Sequence, residues 1–170
     1  EMEFQLVDSC KLLGFPILAS AIQLAIQTGM RRGELMGLCW SDIDFDGRRA
    51  YLYQTKNGDK RQVPLSDRAI THLSQITKSA NNKVFQISME TLRNQFSKVR
   101  AHLQQLRGND ANNPYFDLRF HDLRHEALSR LSDKGLNVIE LSSISGHRTL
   151  AMLKRYTHPA HESMLSKINS

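Results

Sequence analysis

The sequence predicts an α+β fold that is mainly α-helical, a helical bundle with one small three-stranded antiparallel sheet. Apolar residues recur at helical spacing through most of the 170 residues. Strand-favouring residues and two hairpin turn signals, Asp46-Gly47 and Asn57-Gly58, are concentrated in residues 42–65. The length favours a single domain, residues 1–170, that buries its own core.

Helical segments are predicted on both sides of the sheet. Gly14-Phe15-Pro16 separates the first two, and Gly135 and Gly146 are placed to end later ones. Ser66, Ser88, Asn137 and Thr149 are candidate N-caps. The predicted helices are 4–13, 17–27, 32–39, 66–78, 88–106, 121–134, 137–146, a short one that Thr149 caps and Pro159 ends, and an amphipathic segment at 161–168.

Charge and cysteine usage limit the classes of function. The net charge is +6 and the pI about 9.6, which fits a polyanionic partner. Cys10 and Cys39 are isolated and suit a reducing compartment, so we expect the cytoplasm. The sequence contains no apolar run long enough for a membrane span. The chain enters a helical pattern directly after Glu1, and we therefore expect a C-terminal fragment of a longer protein.

Two arginines, two histidines and a tyrosine stand out as candidate site residues: Arg31, His121, Arg124, His147 and Tyr156. Guanidinium groups bind a phosphodiester bidentately, histidines transfer protons, and a tyrosine oxygen can attack phosphorus. No cysteine cluster and no glycine-rich nucleotide loop accompanies them. The set therefore predicts metal-free, ATP-free phosphoryl transfer on DNA.

Arg31 follows a glycine break and would lie near a helix N-terminus, where anions bind readily. Glu34, three residues on, could buttress a guanidinium by a bidentate pair. The alternative is that Arg31 and Arg32 are solvated charges at the start of a helix.

His121 and Arg124 share one face of a predicted helix and could point at the same phosphate. The alternative is a polar helix start that faces water. His121 and His125 also have the i, i+4 spacing of zinc ligands, but Arg124 brings a positive charge between them, so we expect no metal.

Tyr156 follows His147 by nine residues. The alternative is an ordinary core or surface aromatic residue. A tyrosine hydroxyl, with an ordinary pKa of about 10, is a poor nucleophile unless cations stabilise the phenolate. The two arginines would supply that stabilisation. Lys56 lies in the predicted hairpin, where Lys60 and Arg61 are alternative cations for a leaving oxygen.

The chain resembles the catalytic domain of the tyrosine recombinase (phage integrase) family, and looks closest to the integrases of temperate phages. Any one matching segment is weak, whereas four in order at the family's spacing are strong. The matching segments are 28–35 (TGMRRGEL), 55–65 (TKNGDKRQVPL), 121–125 (HDLRH), and the stretch from Gly146-His147 to Tyr156.

The resemblance implies a role for each site residue. Arg31 and Arg124 would bind the scissile phosphate, and His147 would hydrogen-bond it. His121 would act as general base on Tyr156, and Lys56 as general acid to the 5′ oxygen. Tyr156 would form a 3′-phosphotyrosine link.

The resemblance also implies partners and no cofactor. The partners would be double-stranded DNA at attachment sites, other protomers in a dimer or tetramer, and DNA-bending accessory proteins. Residues 161–170 would pack on a neighbouring protomer or in cis. The competing interpretations are a type IB topoisomerase-like enzyme, a non-catalytic DNA-binding module and a metal-dependent nuclease.

Overall fold

A computed structural model of the chain describes residues 1–53, 60–78, 80–108, 113–147 and 149–156. The predicted fold class is confirmed, because these residues form a mainly helical α+β fold with a three-stranded antiparallel sheet. In chain order the α-helices in these ranges are Met2–Leu12 (α1), Pro16–Thr28 (α2), Arg32–Gly37 (α3), Asp67–Ser74 (α4), Met89–Arg107 (α5), Asp122–Asp133 (α6) and Val138–Ser145 (α7). The strands are Ile43–Asp44 (β1), Arg49–Leu52 (β2) and Arg61–Pro64 (β3).

Helix α2 is the centre of the fold. It begins at Pro16, where the missing backbone N–H needs no partner, after Gly14 takes a positive φ of 74°. Leu18, Ile22 and Leu24 are fully buried. Helices α1, α4 and α6 pack around α2, so the element that ends just before Arg31 is fixed on several sides.

The sheet lies beside this bundle, with β2 between β1 and β3. Ile43 pairs with Ala50, and Tyr51 pairs with Gln62, in antiparallel register. Helix α7 packs against β3, which brings the sheet next to the segment around His147. The second predicted turn, Asn57-Gly58, lies outside the described residues.

A small apolar cluster positions the chain near Tyr156. Leu128 of α6, Leu141 of α7 and Leu153 are fully buried there, and Tyr156 is 7% exposed. The short segment that carries Tyr156 is therefore packed against α6, the helix that carries Arg124.

Two predicted helices end clearly earlier in the structure, and a third predicted helical segment forms 3₁₀ turns. Helix α3 ends at Gly37 because Leu38 is extended, with ψ 130°. Helix α4 ends at Ser74, and the N–H groups of Gln75 and Ile76 make tighter i→i−3 bonds beyond it. The segment after Thr149 forms two 3₁₀ turns, Leu150–Met152 and Lys154–Tyr156.

The predicted segment 161–168 lies outside the described residues. Within the described ranges, no helix has the length and apolar character to cross a membrane.

Candidate active site

Arg31 is delivered to the site by the turn between α2 and α3. Helix α2 ends at Thr28, and Gly29 takes the left-handed conformation with φ 63°. Arg31 then occupies the N-cap of α3, as the sequence predicts. Its guanidinium donates to the carbonyl of Gly146 at 2.8 Å and to Glu34 at 2.9 Å, so it is not a solvated charge.

Glu34 links two arginines through one buried carboxylate. It accepts two bonds of 2.7 Å from Arg61, one on each oxygen, and also receives the side chain and backbone N–H of Arg31. Burial alone would raise the pKa of Glu34, but the bonds from Arg61 and Arg31 hold it below its ordinary value. The predicted buttress is confirmed, with Arg61 as its bidentate partner.

Arg61 is held inside this network. Its side chain is 9% exposed, and its Nε donates to the carbonyl of Ile144 at 2.9 Å. Three of its five donors bind Glu34 and Ile144, and the alternative that Arg61 serves a leaving oxygen stays a prediction. Lys60 is exposed. Lys56 lies outside the described residues, and its position stays a prediction.

Arg124 is buried in α6, with 3% of its surface exposed. Its two terminal nitrogens donate, at 2.6 Å each, to the carbonyls of Gly29 and Ser145. The alternative that this helix start presents Arg124 to water is therefore wrong. Burial, and then the neighbouring charge of Arg31, lower the pKa of Arg124 to about 10, which still leaves it charged at neutral pH.

The side chains of Arg31, Arg61 and Arg124 all bind the C-terminal end of α7. The consecutive carbonyls of Ile144, Ser145 and Gly146 each accept one guanidinium, from Arg61, Arg124 and Arg31 respectively; the bonds are 2.9, 2.6 and 2.8 Å long. The last carbonyls of a helix have no partner within it and carry partial negative charge. Three cations from three separate elements therefore meet at one helix end.

His147 lies directly beyond this point, after Gly146 takes the left-handed conformation with φ 66°. Its Nδ1 is 2.7 Å from the hydroxyl of Ser145. Burial, and then the charges of Arg124 and Arg31, lower the pKa of His147 to about 4. The imidazole is therefore neutral at neutral pH and can share hydrogen bonds with a phosphate.

Tyr156 faces α6 from the second 3₁₀ turn. Its hydroxyl is hydrogen-bonded to Nδ1 of His125, and its carbonyl accepts a bond from the Ser132 hydroxyl. The Arg155 guanidinium lies over the tyrosine ring, with its carbon 5.2 Å from the ring centroid. Tyr156 acts to raise the pKa of Arg124, but this effect is smaller than the lowering by burial and by Arg31.

His121 lies next to this pair and makes no hydrogen bond to Tyr156 in the described part of the chain. Its ring meets His125 edge-on, with the ring centroids 4.9 Å apart. Burial, and then Arg124, lower the pKa of His121. The predicted role of His121 as general base on Tyr156 stays a prediction, because the hydroxyl bond in the described structure goes to His125.

The segments that resemble a known family are matched over nearly the whole chain. A model of the Phage integrase family matches residues 5–163.

The chain belongs to the phage integrase family. The resemblance drawn from the four sequence segments is thereby confirmed.

One relative of this integrase-family chain is the shufflon-specific DNA recombinase of Escherichia coli, 43% identical over 148 residues. The match covers 86% of the chain and 36% of the relative, so the chain spans little more than a third of that protein.

Two solved structures share the fold of this integrase-family chain. The catalytic domain of bacteriophage HP1 integrase superposes with a TM-score of 0.71 at 23% identity, covering 98% of this chain and 89% of that one. The Tn1549 transposon integrase in complex with circular intermediate DNA gives a TM-score of 0.73 at 20% identity, covering 98% and 62%.

Three residues at this integrase-family site are not predicted by the sequence: His125, Ser145 and Arg155. The sequence singles out His125 only as an alternative zinc ligand, although its position one turn after His121 places it on the same helix face. Arg155 precedes Tyr156 directly, and only the tight 3₁₀ turn brings its guanidinium over the tyrosine ring. No sequence signal identifies Ser145, whose backbone carbonyl is the atom that binds Arg124.

Proposed function

We propose that this chain is the catalytic part of a site-specific DNA recombinase that cleaves and rejoins DNA through a 3′-phosphotyrosine intermediate. The observation that carries the proposal is the meeting of Arg31, Arg124 and His147 at the end of α7, with Tyr156 packed beside them. Tyr156 is the nucleophile in this proposal, and the two guanidiniums hold the phosphate that it attacks.

The arginines keep donors for a phosphate after their internal bonds are made. A guanidinium has five N–H donors. Arg31 uses one for Glu34 and one for Gly146, and Arg124 uses one each for Gly29 and Ser145. Their internal bonds fix where the remaining donors point before substrate arrives, which is what electrostatic stabilisation of a transition state requires.

Exchange of one phosphodiester for another needs no external energy source. The tyrosine oxygen forms a bond to phosphorus while the bond to the 5′ oxygen breaks, and a 5′-hydroxyl later reverses the step. The 5′ oxygen needs a proton on leaving, and Lys56 is the proposed donor by resemblance to the family. Neither a metal ion nor a nucleotide cofactor has a role in this proposal.

A basic groove supports DNA as the partner. Four arginines, Arg32, Arg93, Arg100 and Arg119, line a cavity of about 310 Å³ between α5 and the chain that leads into α6. Within the described part of the chain, none of the four forms an ion pair with a carboxylate. Unpaired guanidiniums at this density suit phosphate groups of a duplex.

The finer partners belong to the same proposal. Strand exchange between two duplexes requires several protomers on the DNA, so we expect a dimer or tetramer, helped by DNA-bending proteins and acting in the cytoplasm. The 161–170 segment is the proposed contact between protomers.

A pool of nicked duplexes, randomised at the central positions and incubated with excess protein in chelator, tests the proposal. The nick lets the 5′ fragment diffuse away, which traps the covalent product. We expect a protein–DNA adduct on a denaturing gel, with one sequence enriched among the recovered strands. Retention of duplex on a filter without any adduct would support a non-catalytic DNA-binding module instead. Dependence of cleavage on divalent ions would support a nuclease, and relaxation of supercoils without strand exchange a topoisomerase.

A further inference from the structure

We propose that the Ser145 hydroxyl is a positioning group for phosphate binding: it donates to Nδ1 of His147 and so places the ring proton on Nε2, which then donates to the DNA phosphate. This inference rests on the proposed function, since it names the residue that prepares His147 for the same phosphate. In this role Ser145 acts through the histidine ring and makes no contact with the phosphate.

Ser145 lies in the last turn of α7 and is fully buried. Its Oγ is 2.7 Å from Nδ1 of His147, a distance that suits a hydrogen bond in either direction. Its backbone carbonyl accepts from Arg124 at 2.6 Å. The main chain of Ser145 therefore holds one proposed phosphate-binding side chain, and its hydroxyl holds another.

The direction of this hydrogen bond follows from the burial of the serine hydroxyl. A hydroxyl has one proton to donate, and a neutral imidazole has one N–H and one bare nitrogen. If Nδ1 carried the ring proton and donated to Oγ, the hydroxyl proton would need another acceptor. Within the described ranges that hydroxyl has no hydrogen-bond partner other than Nδ1, and a buried hydroxyl left without an acceptor is costly. Donation from Oγ to Nδ1 satisfies both groups.

The same direction gives the ring the donor that a phosphate requires. The non-bridging oxygens of a phosphodiester only accept hydrogen bonds, so the nitrogen that meets them must carry a proton. When Nδ1 of His147 accepts from Ser145, that proton is on Nε2. Nε2 makes no hydrogen bond to the described part of the chain, so it is the ring nitrogen that remains for DNA.

The position of the proton matters because the ring is neutral. Burial, and then Arg124 and Arg31, lower the pKa of His147 to about 4. Arg155 and His125 act in the same direction with smaller effects. An imidazolium would carry a proton on both nitrogens whatever its neighbours were. A neutral ring carries one, and its position decides whether the ring offers the phosphate a donor or a lone pair that repels it.

A second serine holds the backbone of His147. The Ser142 hydroxyl donates to the His147 carbonyl at 2.8 Å, and the Ser142 carbonyl accepts from the N–H of Gly146 at 2.7 Å. Ser142 and Ser145 are three residues apart and lie on one face of α7. One serine thus fixes the main chain of His147 and the other fixes its ring, which sets the direction of Nε2 before DNA binds.

Histidine ¹⁵N resonances of the protein without DNA distinguish the two tautomers at neutral pH. We expect His147 to show the Nε2–H form, and Ser145→Ala to shift its nitrogen resonances towards a mixture of the two forms. The matched control is Ser143→Ala, which should leave these resonances unchanged, because that exposed hydroxyl on the same helix donates to the Ile139 carbonyl at 3.0 Å. A Nδ1–H form in the wild type, or unshifted resonances in Ser145→Ala, would overturn the inference.

Single-turnover adduct formation on the duplex recovered from the randomised pool tests the consequence for the reaction. Ser145→Ala keeps the carbonyl that binds Arg124 and should slow adduct formation ~10-fold, since it removes one orienting hydrogen bond. In protein that already carries His147→Ala, the same change should slow it less than about twofold, because the ring through which the hydroxyl acts is gone. Ser143→Ala should match the wild type. An equal slowing in both backgrounds would show that Ser145 acts through another group, and would overturn the inference.

The two proposals fail in different ways. If wild-type protein binds DNA and forms no adduct, the proposed function is wrong, while the resonances still report the tautomer of His147. If wild-type protein forms the adduct and Ser145→Ala changes neither its rate nor the His147 resonances, the function stands and the role of Ser145 is wrong.

Discussion

The carboxylate of Glu34 binds the guanidinium of Arg61 through two hydrogen bonds of 2.7 Å, one to each oxygen. Both side chains are buried, at 5% and 9% exposure. The pair joins α3 to β3, and the same carboxylate also holds Arg31. A residue with no expected contact to DNA therefore controls the position of one that is proposed to bind it.

Glu34→Gln should destabilise the protein by about 3–5 kcal/mol, because it leaves a buried guanidinium without its counter-charge. Urea denaturation followed by circular dichroism measures this free energy of unfolding. The matched control is Glu126→Gln, which removes a partly exposed pair with Arg130 on α6. That change should cost no more than about 1 kcal/mol. Equal effects of the two substitutions would contradict the role given to Glu34.

Tyr156→Phe should abolish the covalent adduct and leave DNA binding largely intact, because it removes only the attacking oxygen. The ring and its contacts with Leu128 and Leu153 remain. Denaturing gels measure the adduct, and filter retention of the same duplex measures binding. Any substantial adduct formed by the variant would exclude Tyr156 as the nucleophile.

Arg124→Lys should slow adduct formation ~10²–10³-fold, as expected for loss of a transition-state donor. A lysine ammonium is a point charge and cannot reproduce the planar fork that joins Gly29 and Ser145. The control is Arg130→Lys on the same helix, where the partners are carboxylates and the charge suffices. Single-turnover kinetics measure both variants, and a normal rate for Arg124→Lys would show that the guanidinium shape is unimportant.

Combined replacement of Arg93 and Arg100 by alanine should weaken DNA binding and flatten its salt dependence. For every phosphate that the variant no longer binds, the slope of log affinity against log salt should fall by about 0.9. Titration of a fluorescent duplex at several salt concentrations measures this slope. Arg107→Ala is the control, because Arg107 ends the same helix but is paired with Glu1. An unchanged slope in the double variant would show that the basic groove does not contact the DNA phosphates.

The free energy of unfolding should fall as the pH drops from 6.5 towards 4. Burial, and then Arg124 and Arg31, lower the pKa of His147 from 6.5 to about 4. Between these values the unfolded chain binds a proton that the folded chain does not, so stability is lost as the pH falls. The lowered pKa values of His121 and His125 act with the same sign.

Denaturation at about pH 7 and about pH 5 measures this dependence. His147→Gln cannot titrate and should reduce the difference between the two conditions. The same difference in the variant as in the wild type would show that His147 does not couple protonation to folding.

Local signals predicted the elements of this fold better than their ends. Ser88 begins α5 and accepts a bond from the backbone of Thr91, as a capping residue should. Asn137 opens α7 with the predicted capping box. The predicted end of α4 lies beyond the observed end at Ser74. The i→i−3 hydrogen bonds that follow Ser74 have no characteristic residue type in the sequence.

Site residues were predictable from the sequence where the residue type and its position on a single helix were sufficient to indicate the role. Arg31 at its N-cap is such a residue. The partner of Arg61 was not predictable, because Glu34 lies 27 positions away and only the tertiary fold brings α3 within reach of β3. His125 and Tyr156, 31 positions apart, meet for the same kind of reason.

The three carbonyls at the end of α7 have a consequence for how this site tolerates change. They are main-chain atoms, so replacing the side chains of Ile144 or Ser145 leaves the acceptors for Arg61 and Arg124 in place. Removing one residue before Gly146 would instead displace the carbonyls of α7 relative to the three guanidiniums that bind them. The acceptors at the end of α7 are thus insensitive to side-chain substitution within α7 and sensitive to a change in its length, because its backbone sets the spacing of the three carbonyls.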